Sequence, residues 1–368
     1  MRVGFDARLI RYPGVGRYIA NALHGLVDQP QVDLVVYAPD AESAARWRAS
    51  APAWIVRVVP VRSPGLREQI VLPRLIVQDR LDLFHAPHYV VPIFTSCPLV
   101  VTLHDLVFLR FPDLLTPAML WYYRNMVGRA IRRARAVLCV SKFIRDEACS
   151  VFQAMPESFD VIPNGVAESF VPADAADKEY FIQSQGLSNY ILYVGTWKPW
   201  KNVERLLDAF DMVRQSGYSG QLVLAGKAAR HQLDLTKRIQ QLAPYVTVVG
   251  DVSENDLPLL YGAADALVMP SLYEGFGLPV LEAMACGTPV IVSHAGPLPE
   301  VAGEAGAYFD PLNVESMAQA IRSVVQQPQL RATLVERGFE QARLFSTARM
   351  GRSLWEAYQA VYQESSKI

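Results

Sequence analysis

The feature that most constrains the fold is a series of short apolar segments that recur between longer amphipathic ones. The segments are rich in Val, Leu and Ile, and they are apolar throughout instead of alternating with polar residues. Strands buried on both faces of a parallel sheet have this composition, and intervening helices make β-α-β units. The sequence therefore predicts an α/β protein with doubly wound parallel sheets.

The predicted strands fall into two sets along the chain. The first set is Arg2–Phe5, Val32–Tyr37, Val56–Val61, Leu83–His85, Leu99–Leu103, Ala136–Val140 and Asp160–Ile162. The second set is Tyr190–Gly195, Gln221–Gly226, Val246–Gly250, Ala266–Pro270, Pro289–Ser293 and Tyr308–Phe309. Helical periodicity lies between them, at Arg17–Asp28, Pro117–Arg135, Asn202–Gln215, Leu233–Leu242, Glu254–Ala263, Pro279–Ala285, Val314–Gln326 and, last, Ser353–Tyr362.

Two strand sets in 368 residues indicate two Rossmann-like domains. The join is expected near Pro163–Asp174, where Pro, Gly, Asn and Asp are concentrated. We predict an N-terminal domain over 1–168, with a helix of about 350–368 packing back on it, and a C-terminal domain over 169–349. Ligands of doubly wound sheets bind outside the carboxyl ends of the strands, so the cleft between the domains is the expected site.

Charge and apolar content exclude several classes of protein. The 35 basic and 36 acidic residues give a net charge of −1, so a nucleic-acid-binding field is absent. The four cysteines are scattered, which favours reduced thiols in a cytosol over a disulfide framework. Asp6 and Arg8 interrupt any signal sequence, and Pro92 and Pro98 break the longest apolar stretch, so the sequence predicts a cytoplasmic protein without a transmembrane helix.

The densest group of chemically informative residues is Ser271–Gly287, SLYEGFGLPVLEAMACG. A glycine-containing loop follows a strand, and Pro279 is expected at the first position of the next helix. Such a helix start offers unpaired N–H groups to an anion. Glu274 and Glu282 lie eight residues apart, and carboxylates there would accept hydrogen bonds from sugar hydroxyls. The alternative is a carboxylate interacting with the helix dipole plus an exposed loop glutamate.

This segment resembles the donor-site motif of retaining glycosyltransferases of the GT-B fold, in the large family numbered four (group 1). The motif has two glutamates with seven residues between them, which Glu274 and Glu282 match. The resemblance implies that Glu274 contacts the transferred sugar and that Glu282 binds the ribose of the nucleotide. It also implies that the loop amides approach the sugar and the phosphates, here those of Phe276, Gly277 and Leu278.

A second segment, GTWKPWKN at 195–202, follows the first predicted strand of the second domain. A lysine at such a junction supplies a point charge for a diphosphate, and the resemblance assigns this role to Lys201. Thr196 stands where many members have an arginine, and its hydroxyl is expected to contact the donor instead. The backbone from Gly250 to Val252 resembles the segment that meets the nucleotide base. The alternatives are a solvated lysine at a helix start for Lys198 and Lys201, and an ordinary strand-loop-helix junction for Gly250–Val252.

In the first domain, YPGVGRY at 12–18 resembles the family's first glycine loop. Gly14 and Gly16 permit close approach of a ligand to the backbone, although a tight strand-to-helix turn would need the same residues. Arg17 is a candidate for the missing second cation at the diphosphate.

Three histidines follow predicted strands in the same domain, and His104 matches the family's histidine near the donor sugar. His85 and His88 complete the group, and a core histidine is the alternative for each. A zinc cluster is disfavoured because H-E-x-x-H and suitably spaced cysteines are absent.

Together these features predict a metal-independent enzyme that moves a hexose, with retention of configuration, to a hydroxyl of a glycan or lipid-linked acceptor. The sequence contains no D-x-D, the motif that would hold a diphosphate through a cation. GDP-mannose is the favoured donor, because EQIVLPRL at Glu68–Leu75 and GTWKPWKN are similar to segments of bacterial polysaccharide mannosyltransferases. A UDP-sugar donor, a sugar phosphorylase or epimerase, and a non-catalytic nucleotide-sugar binder remain open.

One stretch, Trp121–Arg135, combines aromatic residues with five arginines. A basic amphipathic helix of this kind can lie on an anionic membrane, at about 1 kcal/mol for each cation. A solvated helix face is the alternative. The sequence thus leaves peripheral membrane contact open.

Overall fold

The computed structural model describes residues 1–29, 31–227 and 233–365, without the side chains of Leu233 and Asp234. The chain divides into two compact units, Met1–Gly165 with the segment that begins at Ser346, and Val166–Phe345. These boundaries precede the expected ones, 168 and 349, by a few residues. Local contacts explain the positions: Gly165 abuts the backbone of Thr347 within the first unit, and the Val166 amide donates to the Phe345 carbonyl within the second.

The elements of both units follow in chain order. The strands are β1 (Arg2–Asp6), β2 (Asp33–Ala38), β3 (Ile55–Val58), β4 (Leu83–Ala86), β5 (Leu99–Leu103), β6 (Ala136–Cys139), β7 (Phe159–Val161), β8 (Tyr190–Val194), β9 (Gln221–Ala225), β10 (Val246–Gly250), β11 (Ala266–Met269), β12 (Val290–Ser293) and β13 (Gly306–Phe309). The α-helices are α1 (Val15–Val27), α2 (Ala41–Ser50), α3 (Glu68–Gln78), α4 (Val107–Arg110), α5 (Pro117–Arg133), α6 (Lys142–Phe152), α7 (Ala175–Ser184), α8 (Val203–Gln215), α9 (Leu233–Gln241), α10 (Leu257–Gly262), α11 (Leu278–Ala285), α12 (Leu298–Ala302), α13 (Val314–Gln326), α14 (Pro328–Arg343) and α15 (Thr347–Ser365). Short 3₁₀ helices cover Pro112–Leu114, Pro156–Ser158, Pro199–Lys201 and Gly303–Ala305.

The first unit is built on a parallel sheet whose described strands run in the order β3-β2-β1-β4-β5-β6-β7. All pairings are parallel, and β1 pairs with both β2 and β4. The strand order reverses between β1 and β4, which is where ligands of doubly wound sheets bind. The glycine loop follows β1, His85 lies near the end of β4, and His104 directly follows β5.

The second unit repeats this arrangement with the strand order β10-β9-β8-β11-β12-β13. Its order reverses between β8 and β11, which are adjacent and parallel. The carboxyl ends of β8 and β11 therefore lie side by side, and so do the loops that leave them. The core beneath is apolar, with Leu206, Phe210 and Ile321 from helices packed against Leu224 and Ile291 from strands.

The last helix, α15, packs against α1 within the first unit. Their closest approach is at two glycines: a Cβ at Gly351 would lie 2.0 Å from the Gly25 carbonyl oxygen, and one at Gly25 would lie 2.1 Å from the Thr347 carbonyl oxygen. The two backbones touch there because neither glycine has a side chain.

Candidate active site

Two loops meet at the point where the strand order of the second unit reverses. After β8, Asn202 adopts a positive φ of 59°, and its side-chain amide donates to the carbonyls of Pro270 (3.0 Å) and Pro311 (2.8 Å). The Leu272 amide also donates to the Trp200 carbonyl at 2.8 Å. These bonds tie the 195–202 loop to the loop that follows β11.

The two candidate residues of these loops form an ion pair. The Lys201 Nζ lies 2.7 Å from both carboxylate oxygens of Glu274. The Ser271 hydroxyl donates to Glu274 Oε1 at 2.7 Å, and the Ser293 hydroxyl fixes the Ser271 carbonyl at 2.6 Å. Glu274 is only 9% exposed, so its charge is compensated by a lysine and a hydroxyl and not by bulk water.

The second motif glutamate is more deeply buried. Glu282 is 1% exposed, and the Tyr261 hydroxyl donates to its Oε2 at 2.8 Å. Tyr261 is itself fully buried, and its carbonyl accepts a 2.6 Å hydrogen bond from the Thr288 hydroxyl. The alternative of an exposed loop glutamate is therefore wrong for Glu274, which is buried, and Glu282 is likewise a buried carboxylate held by a hydrogen-bond donor.

The start of α11 is shaped by a glycine. Gly277 has a φ of 112°, and a Cβ there would lie 2.7 Å from Leu298 Cδ2, so a side chain is excluded by backbone conformation and by space. The helix begins at Leu278, which puts Pro279 at its second position instead of the predicted first. Pro279 has no N–H and the Val280 amide donates to the Gly277 carbonyl at 3.0 Å, so the amide of Leu278, with those of Phe276 and Gly277 before it, is the group that an anion could approach here. The Phe276 ring is buried against Phe345.

The remaining candidates of the second unit lie at the same sheet edge. The Thr196 carbonyl accepts from the Tyr193 hydroxyl at 2.9 Å, and Lys198 lies over the Trp200 ring at 4.9 Å. The ends of β9 and β10 are joined by a 2.7 Å bond from the Gly226 amide to the Gly250 carbonyl. Just beyond, Val252 lines a small pocket of about 90 Å³.

Local backbone geometry and packing explain the two glycines in the glycine loop of the first unit. Gly14 caps α1 with a φ of 77° and open space around it. Gly16 is buried, and a Cβ there would lie 2.0 Å from the Ile10 carbonyl oxygen. The turn therefore requires glycine with or without a ligand. Arg17, which follows, is half-buried in the first unit, whereas Lys201 belongs to the second.

His104 is held in one tautomer. Its Nε2 lies 2.8 Å from the Pro87 carbonyl oxygen, which can only accept, so Nε2 carries the proton and Nδ1 the lone pair. Burial lowers the pKa of His104 to about 4, so the ring is neutral near pH 7. The Tyr18 ring meets it edge-on at 4.7 Å.

The other two histidines do not join His104 in a metal site. His85 is fully buried, and it bonds the Tyr358 hydroxyl through Nδ1 (2.6 Å) and the Thr102 hydroxyl through Nε2 (2.8 Å). The Val90 amide donates to His88 Nδ1 at 3.2 Å. Within the described residues, no group of three or more His, Cys, Asp or Glu side chains could hold a metal ion. His85 is therefore a core histidine, which was the alternative expected for it.

Three residues that position the candidate glutamates were not predicted. Ser271, in the loop after β11, bonds Glu274 directly, Ser293 of β12 fixes Ser271, and Tyr261 of α10 bonds Glu282. The nearest sequence signal is the three-residue spacing from Ser271 to Glu274. Nothing in the sequence links Tyr261 to Glu282.

Each of the two Rossmann-like units has a candidate ligand-binding loop where its strand order reverses. This is the architecture of a GT-B glycosyltransferase. Comparison with known families agrees: the model of glycosyl transferases group 1 matches residues 177–341, and that of glycosyltransferase family 4 matches residues 12–170. The chain belongs to the glycosyl transferases of group 1. It is accordingly an enzyme that uses a nucleotide-sugar donor and a glycan acceptor.

Two curated relatives and one solved structure show what the chain is similar to. O-antigen chain mannosyltransferase B of Escherichia coli is 28% identical, over 94% of this chain and 96% of that protein. O-antigen chain mannosyltransferase RfbU of Salmonella typhimurium is 31% identical, over 66% of this chain and 64% of that protein. The crystal structure of Anabaena Alr3699/HepE in complex with UDP and glucose is 22% identical, covers 98% of this chain and all of that one, and has a TM-score of 0.79.

Proposed function

We propose that this glycosyltransferase moves mannose from GDP-mannose to a hydroxyl of a glycan or lipid-linked acceptor, with retention of configuration. The relatives named above as O-antigen mannosyltransferases support the sugar. The observation that carries the proposal is the Lys201–Glu274 ion pair beside the start of α11. A cation and a buried carboxylate thus lie at the sheet edge beside the amides of Phe276, Gly277 and Leu278, and this arrangement supports a donor site.

Each group of the second unit has a distinct role in this mechanism. Lys201 and the first amides of α11 stabilise the charge that develops on the leaving diphosphate, with a full charge and about half a charge respectively. Glu274 accepts a hydrogen bond from a hydroxyl of the transferred sugar. Glu282, fixed by Tyr261, accepts hydrogen bonds from the ribose. Thr196 and the Gly250–Val252 backbone complete the contacts with the donor.

Retention is proposed to arise from displacement on one face of the sugar. The Lys201 ammonium bonds both carboxylate oxygens of Glu274 and the Ser271 hydroxyl bonds Oε1, so these oxygens are already occupied and poorly placed to attack the sugar as a nucleophile. The leaving phosphate would instead accept the proton of the acceptor hydroxyl. His104, neutral and with Nδ1 as an acceptor, is proposed to bind a sugar hydroxyl from the first unit, and Gly14, Gly16 and Arg17 to face the diphosphate.

The mechanism needs no metal ion, because Lys201 and the α11 amides supply the positive charge. We predict that EDTA leaves the initial rate within about twofold and that added Mg²⁺ or Mn²⁺ changes it little. The measurement is nucleotide release after chelation and desalting. Loss of activity with EDTA that Mn²⁺ restores would contradict metal independence. Modest stimulation by Mg²⁺ would not, since the ion also binds the diphosphate product.

A panel of nucleotide sugars tests the donor. Thermal shift should be largest with GDP-mannose, and release of GDP should require a lipid-linked or glycan acceptor. Preference for a UDP-sugar would replace the donor and keep the mechanism. Sugar release that needs inorganic phosphate would indicate a phosphorylase, epimerised donor without acceptor would indicate an epimerase, and binding without turnover would indicate a non-catalytic binder.

We also propose that the enzyme works in the cytoplasm, in peripheral contact with the membrane face through Trp121–Arg135. Among the described helices, none has the length and apolarity to cross a membrane. The four cysteines are free thiols. Helix α5 exposes Trp121 to 68% and Tyr122 to 42%, followed by exposed arginines. Aromatic and basic residues on one exposed helix are typical of helices that lie on anionic lipid.

A further inference from the structure

A groove runs between α5 and the end of α6 in the first unit. Its volume is about 500 Å³, and its lining includes Trp121, Arg124, Gly128 and Arg132 of α5 and Phe152 of α6. The four α5 residues are spaced by three or four positions, so they lie along one face of the helix. This face is turned toward α6, and Gly128 forms the floor of the groove.

Gly128 makes room for an arginine. A Cβ at Gly128 would come within 3.2 Å of Arg132 Nη1 and 3.3 Å of the Phe152 ring. The Arg132 guanidinium and the Phe152 ring therefore both lie beside the glycine. A larger residue at this position would push the guanidinium out of the groove.

The groove has two cations and lacks an acidic side chain among its described lining residues. Within the described part of the chain, neither Arg124 nor Arg132 forms an ion pair. The two arginines are eight positions apart on α5, about 12 Å along the helix axis, so both make the groove positive without forming a close pair. A guanidinium matches phosphate with two parallel N–H donors, so a phosphate group is the anion that suits the groove best.

The apolar surroundings favour a lipid as the source of the phosphate. Trp121 lines the groove and is 68% exposed, and Leu114 and Met119, just before it, are 50% and 43% exposed. A soluble phosphate would gain nothing from this surface, whereas acyl chains beside a bound headgroup would cover it. We propose that the groove holds the phosphate group of an anionic membrane lipid. The inference rests on the peripheral membrane contact proposed above and assigns that contact a defined site.

Vesicle binding by single variants tests the site. The probes are vesicles of phosphatidylcholine alone and of phosphatidylcholine with phosphatidylglycerol, and the protein is the full chain. Arg124→Gln and Arg132→Gln should each weaken binding to the anionic vesicles by more than about tenfold. Arg129→Gln is the matched control, because Arg129 is exposed on the same helix and is not part of the groove lining. It should lose about three- to fivefold, as any surface cation would.

A second variant tests the shape of the groove without changing charge. Gly128→Ala places a methyl group under Arg132 and improves helix propensity, so the fold is retained. The Arg132 side chain needs to move by only a few tenths of an ångström to accept this methyl group, so Gly128→Ala should keep vesicle binding within about twofold, whereas Gly128→Leu fills the space of the guanidinium and should weaken vesicle binding at least about fivefold. Wild-type binding of dissolved glycerol phosphate should be weak and should not compete with vesicles.

Several outcomes would overturn the site. Equal losses for Arg124→Gln, Arg132→Gln and Arg129→Gln would indicate diffuse electrostatic attraction instead of a groove. Unchanged vesicle binding by Gly128→Leu would have the same meaning. Full competition by glycerol phosphate or inorganic phosphate would make the ligand a soluble phosphate. Failure of the wild-type protein to bind anionic vesicles would overturn both the groove and the membrane contact. The proposed sugar transfer would still be tested separately by the panel of nucleotide sugars.

Discussion

The ammonium group of Lys201 donates to both oxygens of Glu274, so its positive charge is already shared with a carboxylate. A donor diphosphate that binds Lys201 has to compete with that carboxylate, and it also approaches a second negative charge. In the proposed mechanism the two residues therefore have opposite effects on binding of the diphosphate, although that mechanism uses both for transfer. Because the pair is poorly exposed, water screens this opposition only partly.

We predict that Glu274→Gln binds free GDP about three- to tenfold more tightly than the wild type, while turnover falls at least about 100-fold. The substitution removes a negative charge and frees Lys201, but it also weakens the contact with the sugar hydroxyl. Isothermal calorimetry measures the affinity for GDP and for guanosine. The affinity for guanosine should not change, because guanosine has no phosphate. Weaker GDP binding by Glu274→Gln would show that Glu274 does not compete for Lys201.

Glu282 gives a prediction of the opposite sign. Glu282→Ala should weaken GDP and guanosine binding alike by about 1.5–3 kcal/mol, because the ribose loses a charged acceptor. Tyr261→Phe is the matched variant: it keeps the carboxylate, removes the hydroxyl that orients it, and should cost less. Calorimetry with GDP and with guanosine checks both variants. Unchanged affinity in Glu282→Ala would remove Glu282 from the ribose.

At the scale of elements, the contact of α15 with α1 is the most sensitive to substitution. In Gly351→Ala the new methyl would lie 2.0 Å from the Gly25 carbonyl oxygen, and neither backbone can yield without moving a helix. We predict a loss of about 3 kcal/mol or more in unfolding free energy, despite about 1 kcal/mol gained in helix propensity. Denaturant-induced unfolding of the wild type and the variant measures this loss in unfolding free energy.

The control is another helical glycine, Gly338 of α14. A Cβ at Gly338 would lie 3.3 Å from Met284 Cγ, which belongs to a flexible side chain, so Gly338→Ala should be neutral or stabilising. Similar destabilisation by the two substitutions would contradict a specific backbone contact between α1 and α15.

Strands were predictable from the sequence because burial on both faces leaves a local signal. Every predicted strand is present, and the largest discrepancy is at β3, which ends at Val58 instead of Val61. Helix α14 was not predicted. Its buried residues are Leu334, Gly338 and Ala342, of which only one has a large apolar side chain, so its periodicity is weak. Its position depends on packing against α11, which is a tertiary effect.

The residues of the candidate site could be predicted from the sequence, whereas the contacts between them could not. Glu274 and Lys201 were each found from local motifs, but they are 73 residues apart, and their pairing depends on β8 lying next to β11. That adjacency follows from the strand order, which no single segment encodes. Tyr261 was missed for the same reason, since it reaches Glu282 from a different helix.

At the scale of the molecule, the two units differ in their buried titratable groups. Burial lowers the pKa of His85 and of His88 to about 3 and that of His104 to about 4, and all three belong to the first unit. Among the described residues, His294 is the one histidine of the second unit, and His231 lies outside the described residues. Acid should therefore act on the two units unequally.

We predict that acidification destabilises the first unit before the second. Each buried histidine has a native pKa well below the ordinary value of 6.5, so between pH 6.5 and its native pKa the unfolded chain binds a proton that the native unit does not. Stability then falls as the pH falls, by about 1.4 kcal/mol per pH unit for each histidine, and the loss ends near the native pKa values. Hydrogen exchange measured by mass spectrometry at pH 7.5 and pH 5, corrected for intrinsic rates, should show core peptides of β4 and β5 losing protection while those of β11 and β12 keep it. Equal loss of protection in both units would show that the histidines do not govern the acid response, and unchanged protection of β4 and β5 would mean that His85 and His104 take up protons in the native state as readily as in the unfolded chain.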